Sequence, residues 1–565
     1  MGQTLPLLFN PKYQLFFILP VWLILAILVN PYGEFPYNDD WAYARSVKAL
    51  VESGTFFMSG WTSVNLLVQI GWGALFCLPF GFSFTALRIS TLVAGLLGLW
   101  GTHRLIYNAT ENGRVAFLGT LLTLVNPIYL GLSASFMTDV PFYALMTWSL
   151  AYMVIGLKQD STRLMLIGLG LASVALLVRQ LGVALFAGFS VAYLVSKGLQ
   201  LKSIIIAGAS VAVGLSIQVA YQKWLVFMIP ETISYNVQAT NFFHWSYYRL
   251  SLLRGFINNI FVALMYVGLF MFPYFLTLIT PKIVSEFWKN RWLWLVISSV
   301  IIGVWQVLFD GVDMPVWFNT LSAFGLGPVL LRDAYYRLHG PPMSDALWLI
   351  MKSVTVISLV GSVLILYHLI KLVQYVFHWF TPSGQMVTIC LLGSVVGIYS
   401  LPIAMQVIFD RYLLPMPVLI LILMQLLKAS TVQKTIARTW TMPFYLSTGF
   451  LSLYLLFSLC ATHDELAWNR VRWQSLNSLM QQGIKPAEID GGLEFNGWYL
   501  YNTAYKAIPT KSWWWVQEDT YLAGTSILPG YTLFQQQKVN TWLPWGIQEV
   551  VIGKKQENLK SPSAD

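Results

Sequence analysis

Apolar runs of about twenty residues recur along almost the whole chain, and they restrict what it can fold into. A helix rises about 1.5 Å per residue, so roughly 20 apolar residues cover the hydrocarbon of a bilayer. In lipid each run must satisfy its own backbone polar groups, which leaves the helix as the way across. Such runs lie near 13–30, 85–106, 115–135, 141–157, 164–179, 182–196 and 203–224, then near 252–275, 292–309, 345–370, 386–408, 412–428 and 442–460. Of the 565 residues, 57% are hydrophobic and only 10% charged. A soluble domain carries about 25% charged residues, so this chain could not cover itself in water. Its net charge of +10 is therefore a question of where Lys and Arg lie along a membrane protein, and nucleic acid is not an expected partner. Cys77, Cys390 and Cys460 sit in or beside apolar runs, an odd count that argues against a disulfide framework or zinc finger. The first run, Tyr13 to Asn30, follows Lys12 without a small-residue cleavage site and reads as a retained signal anchor.

The stretch Thr62 to Phe82 is apolar enough to cross, but counting it would reverse the side of everything downstream. Leaving it out puts the connections His103–Arg114, Lys158–Arg163, Lys197–Lys202, Lys282–Arg291, Lys371 onward and Lys428–Arg438 in the cytoplasm, where basic loops belong. We therefore expect 62–82 to be a juxtamembrane or re-entrant segment packed against protein. The expectation is an all-α polytopic protein of about thirteen spans in the plasma (inner) membrane, N-terminus cytoplasmic, with loop 31–61 and tail 461–565 on the outer face. Residues 1–460 form the membrane domain, including a juxtamembrane loop 31–82. The tail 461–565 reads as a small mixed α/β domain from its turn signals and short apolar stretches. Its aromatic residues, Trp513-Trp514-Trp515 among them, could stack on sugars or form an interfacial belt, but ordinary aromatic packing needs no ligand and is the stronger reading.

Charge is scarce, so its positions carry information. In Asn38-Asp39-Asp40-Trp41, Asn38 can cap a helix whose apolar face is Trp41, Ala44, Val47 and Leu50. Asp39 and Asp40 would then occupy its first turn, where the helix dipole favours an anion. Alone, this segment reads equally well as a solvated helix start. Asp139 changes the balance: it follows the cap candidate Thr138 at the turn between the third and fourth spans, on the same expected side. Arg179 and Arg411, at span ends on that side, run against the positive-inside bias and ask for an anionic partner: a protein acid, a lipid phosphate or a substrate phosphate. A carboxylate that deprotonates a hydroxyl beside a cation that stabilises a departing phosphate is a workable catalytic pair.

At Asn38-Asp39-Asp40-Trp41-Ala42-Tyr43, Phe136-Met137-Thr138-Asp139-Val140-Pro141-Phe142 and Asp410-Arg411-Tyr412-Leu413-Leu414-Pro415, the chain resembles the membrane glycosyltransferases of the C-type fold (GT-C). It is most similar to the bacterial branch related to protein O-mannosyltransferases and the lipid A aminoarabinose transferase (glycosyltransferase family 39-like). The resemblance covers most of residues 1–460 in layout; order, spacing and side together carry it. It implies a hexosyl or pentosyl transferase that passes a sugar, with inversion, from a polyprenyl-phosphate donor to a protein, lipid or glycan acceptor on the outer face, in contact with membrane lipids. It implies Asp39 as general base, with Asp40 standing where many relatives have Glu, and Asp139 as the further catalytic acid. Arg411 and Tyr412, with Arg179 as a weaker match, are implied at the donor phosphate. Some relatives of this fold use a divalent metal and others none, so a metal is left open and no cofactor is assigned. His244 alone reads as structural.

The competing class is a transporter or flippase of lipid-linked sugars. Transporters hold their ionisable groups near the bilayer midplane on broken helices, whereas these acids sit in loops and first turns. A receptor reading sugars with its Trp-rich tail would leave Asp39 and Asp139 unused. Labelling a cysteine introduced in loop 31–61 with a membrane-impermeant reagent on intact cells should modify it; protection until the membrane is permeabilised would reverse the side of every loop.

Overall fold

The computed structural model describes residues 11–228, 250–278, 314–316, 319–327, 343–378, 381, 383–405, 408–431, 442–506 and 515–556. The helices are α1 (Pro11–Leu28), α2 (Asp40–Ser53), α3 (Leu67–Cys77), α4 (Phe84–Thr110), α5 (Gly113–Leu124), α6 (Pro127–Ser133), α7 (Asp139–Lys158) and α8 (Thr162–Leu176). They continue as α9 (Val183–Lys197), α10 (Leu201–Met228), α11 (Leu250–Leu276), α12 (Asp345–His378), α13 (Gly384–Met405), α14 (Met416–Thr431), α15 (Met442–Gln481) and α16 (Leu493–Leu500). A two-residue hairpin, β1 (Leu321–Ser322) and β2 (Gly325–Leu326), lies against α15.

Among the described residues nine helices are long and apolar enough to cross a membrane, or ten when the bent pair α5 and α6 counts as one span. These ten match ten of the thirteen runs expected from the sequence. The apolar helices Tyr13–Leu28 and Thr162–Leu176, which match two more, are shorter. The run near 292–309 lies outside the described residues, as do His244, Lys282–Arg291 and Trp513-Trp514. The three cysteines are free.

Thr62 to Phe82 contains only the 11-residue α3, about 16 Å of helix, or half the hydrocarbon thickness. The residues before α3 lean on the turn after α8. Leu66 N–H donates to Val178 O at 3.2 Å, Asn65 Nδ2 to Leu176 O at 2.6 Å, and Gln180 Nε2 to Ser63 O at 2.8 Å. The backbone is thus satisfied by protein, as a re-entrant segment requires.

α15 changes environment along its 40 residues. Its first half exposes Phe444, Tyr445, Leu453 and Leu456, while from Ala461 to Leu479 it is largely buried. About 20 residues suffice for a crossing, so the second half stands beyond the apolar slab and runs without a break into the tail. There the tail closes on it with α16 and a four-stranded sheet, β3 (Ile489–Asp490), β4 (Tyr521–Gly524), β5 (Tyr531–Lys538) and β6 (Glu549–Lys555), in the order β3-β4-β6-β5. β3 and β4 are parallel and the other pairs antiparallel, with a bulge between Leu533 and Gln535. The mixed α/β character expected of this region is what is found.

Within the slab, close backbone approach substitutes for the water-driven force that packs soluble helices. α11 and α12 meet at Gly268 and Gly361, where a Cβ on Gly268 would lie 2.6 Å from Ser362 N. Gly268→Val should therefore destabilise the protein by about 1–3 kcal/mol through overpacking, read as a lower thermal midpoint in detergent; an unchanged midpoint would show that these helices separate freely.

Candidate active site

The loop after α1 is fastened before it reaches its acids. Glu34 accepts from Ser83 Oγ at 2.7 Å and from the Phe84 amide at 2.8 Å, at the start of α4. Arg88, one turn further on, donates to Pro31 O at 3.1 Å, to Gly33 O at 2.6 Å and to Phe35 O. The chain then turns through Asn38 in the left-handed region (φ 53°), which Asn tolerates better than most residues. α2 consequently begins one residue later than the sequence suggested. Asp39, not Asn38, stands at the cap position with no side-chain capping bond, and Asp40 alone occupies the first turn. Helix-capping preference is overridden because Asn38 is used for the turn itself.

The two acids are neighbours in sequence and face different surroundings. Asp40 is buried, and both its oxygens are taken by backbone: Oδ1 accepts from Tyr37 N at 2.5 Å and Oδ2 from Phe136 N at 3.0 Å. It ties the loop to the turn that precedes Asp139. Asp39 keeps 21% of its side chain exposed. Its Oδ2 accepts from Arg411 Nη2 at 3.3 Å and its Oδ1 from Trp61 Nε1 at 2.9 Å. Asp139, in the first turn of α7 as expected, forms a buried ion pair with Arg179 through Oδ1. Thr138 holds the cap position there without a capping bond.

Tyr412 joins the two pairs. Its ring centroid lies 4.8 Å from the Arg179 guanidinium and 5.5 Å from that of Arg411, so one aromatic ring contacts both cations. All five residues Asp39, Asp139, Arg179, Arg411 and Tyr412 therefore form one cluster, at the end of the bundle where the tail also sits; Asp40 lies beneath it. Among the described residues, Asp139 Oδ2 and Arg411 Nε and Nη1 are buried without a hydrogen-bond partner. Unused donors on a buried cation mark a place for an anion. Asp410 turns the opposite way: its carboxylate accepts from the Thr320 and Leu321 amides at 3.1 and 2.8 Å and holds β1 in place. Among the described residues no three His, Cys, Asp or Glu side chains gather to hold a metal ion; Asp39 and Asp139 each face a guanidinium.

Trp61 and Glu494 lie at this cluster and were not singled out from the sequence, and Trp515 of the tail's aromatic run joins them. Trp41 packs against Trp61, Tyr501 and Trp515 at ring distances of 6.2, 5.3 and 5.6 Å, so at Trp515 the aromatic tail forms core. No local motif marks these residues; only the long-range fold brings them to the loop.

Residues 72–224 match the dolichyl-phosphate-mannose-protein mannosyltransferase family. The resemblance to the GT-C membrane glycosyltransferases holds. The matched stretch carries Asp139 and Arg179. No curated protein matches the chain. Among solved structures, ArnT from Cupriavidus metallidurans bound to undecaprenyl phosphate is similar at 14% identity and a TM-score of 0.41, over 98% of this chain and 100% of that one. The same organism's ArnT in the apo state is similar at 15% identity and a TM-score of 0.38, over 86% and 84%.

Burial pushes the Asp40 carboxyl from the ordinary 3.8 up to about 7, against the opposing pull of Arg88 and the two amides. Between those values the folded chain keeps a proton that the unfolded chain releases, so Asp40's contribution to stability falls as pH rises across that window and is level above it. The thermal-midpoint gap between the wild type and Asp40→Asn should shrink over the same range, because Asn cannot titrate. A gap that stays constant with pH would show that Asp40 is ionised throughout.

Proposed function

We propose that this protein is a polyprenyl-phosphate-sugar-dependent glycosyltransferase of the plasma membrane, working on the outer face with inversion at the sugar. The observation that carries the reading is Arg411. One nitrogen engages Asp39 while Nε and Nη1 stay unpartnered and buried beside the Asp139–Arg179 pair.

The chemistry follows from that arrangement. An acceptor hydroxyl donates its hydrogen bond to Asp39, which takes the proton as the oxygen attacks the anomeric carbon. The carbon–oxygen bond to the carrier phosphate breaks on the opposite side, and its electron pair leaves with the phosphate. The free donors of Arg411 hold that phosphate as its charge grows, which is where fixed cations act most strongly. A departing phosphate does not have to be protonated, so no second carboxylic acid is called for, unlike the inverting glycosidases. Asp139 keeps Arg179 in place, Tyr412 holds both guanidiniums, and Asp40 fixes the loop backbone. In this reading residues 1–460 hold the lipid-linked donor, and 461–565 form an outer-face domain over the catalytic loop. A polyprenyl chain is insoluble in water, which gives the apolar bulk a use. The gathering of charge at one end of the bundle favours transfer over passage, since a flippase holds its ionisable groups near the midplane.

In a transfer assay with a polyprenyl-phosphate sugar, Asp39→Asn should lower kcat by about 10²–10⁴ while the protein inserts normally. Arg411→Ala should weaken donor use most, with a raised donor KM as well as a lower kcat. Full activity of Asp39→Asn would remove the base from the scheme, and an unaltered donor dependence of Arg411→Ala would remove the phosphate contact.

A further inference from the structure

We infer that Glu494 of the C-terminal segment is a positioning residue for Asp39, so that the tail sets the geometry of the catalytic loop; this rests on the glycosyltransferase reading above. Glu494 Oε1 accepts from the Asn38 backbone N–H at 3.2 Å, across 456 positions of sequence. Asn38 is the left-handed residue whose turn delivers Asp39 to the start of α2. The other oxygen, Oε2, pairs with Arg472 Nη2 at 2.9 Å, and the Arg472 side chain is fully buried in the outer half of α15. The loop is thus held from two directions: Arg88 of α4 takes its carbonyls up to Phe35, and Glu494 takes the N–H next to Asp39.

Two further features argue that this contact serves position as well as cohesion. Glu494 places a second buried carboxylate beside Asp40 and the partly exposed Asp39, an arrangement that costs stability through like-charge repulsion and desolvation and is offset by Arg472. Its two oxygens are divided between Arg472 and the Asn38 N–H, so the buried ion pair holds the carboxylate in the orientation that caps the loop. In addition, α16 brings Gly497 against Trp41, where a Cβ would lie 2.7 Å from Cδ2 of the indole. The helix that carries Glu494 therefore also sets the side chain two residues after Asp39. A displacement of about 1 Å at a reacting group can cost on the order of a hundredfold in rate, so a contact one residue away is well placed to matter.

The test uses the full chain in lipid nanodiscs, with Glu494→Gln, Glu494→Ala and Gly497→Ala. Amide exchange over residues 37–43, without substrate, should speed up by about tenfold in Glu494→Ala, with α4 and α7 unchanged. Glu494→Gln, whose single carbonyl oxygen can still accept from the Asn38 N–H while the pair with Arg472 is lost, should fall between Glu494→Ala and the wild type. In the transfer assay Glu494→Ala should lose about tenfold or more in kcat with donor KM within about twofold, and Glu494→Gln should recover part of that loss. Gly497→Ala should show the same kcat-only loss, and it carries the test together with Glu494→Gln should Glu494→Ala fail to insert. Unchanged loop exchange in the variants that insert overturns the inference. Exchange that rises equally in α4 and α7 also overturns it, because the role would then be bulk stability. A local rise in loop exchange with no transfer by the wild type supports the positioning contact and rejects the glycosyltransferase reading instead.

Discussion

A charge at the edge of a bilayer is stable only beside a partner, and two carboxylate–guanidinium pairs organise this end of the molecule. Asp39 faces Arg411 and Asp139 faces Arg179, with the Tyr412 ring against both cations. Removing one member of a buried pair costs about 3–5 kcal/mol because the other is left uncompensated. The four segments that bear these residues are therefore bound to one another: the loop before α2, the turn before α7, the turn after α8, and the 3-10 turn Asp410–Leu413. The apolar helices behind them hold those segments at one end. Arg411 Nε and Nη1 are the donors this network leaves without a partner.

Twice, adjacent residues divide the work. Asp40 takes two backbone amides while Asp39 meets the cation. Asp410 takes two backbone amides of β1 and its lead-in while Arg411 reaches the site. Successive side chains on a helical turn point about 100° apart, so one can anchor the backbone while its neighbour faces the cleft. Adjacent acids in such a sequence therefore meet different partners.

The membrane architecture was legible because it follows from a local quantity. Twenty apolar residues require a helix whatever their neighbours do, so the runs at 85–106, 141–157 and 203–224 appear as α4, α7 and α10. The apolarity of 62–82 was no guide to its path, which depends on the amide partners that Leu177 and Val178 provide. The start of α2 was misjudged by one residue for a related reason: capping preference is local, but Asn38 answers to Glu494 and to the turn geometry.

By itself the sequence determined a many-helix membrane protein, the few polar positions at span ends worth attention, and the likeness to GT-C glycosyltransferases, since each rests on composition or on short motifs in order. Only the tertiary structure decided which acid meets which arginine, which atoms stay unpartnered, and that Trp61, Glu494 and Trp515 pack around the segment Asn38–Trp41. Those facts depend on groups separated by up to 456 positions meeting within hydrogen-bond distance. No periodicity or local propensity encodes such a meeting; packing creates it.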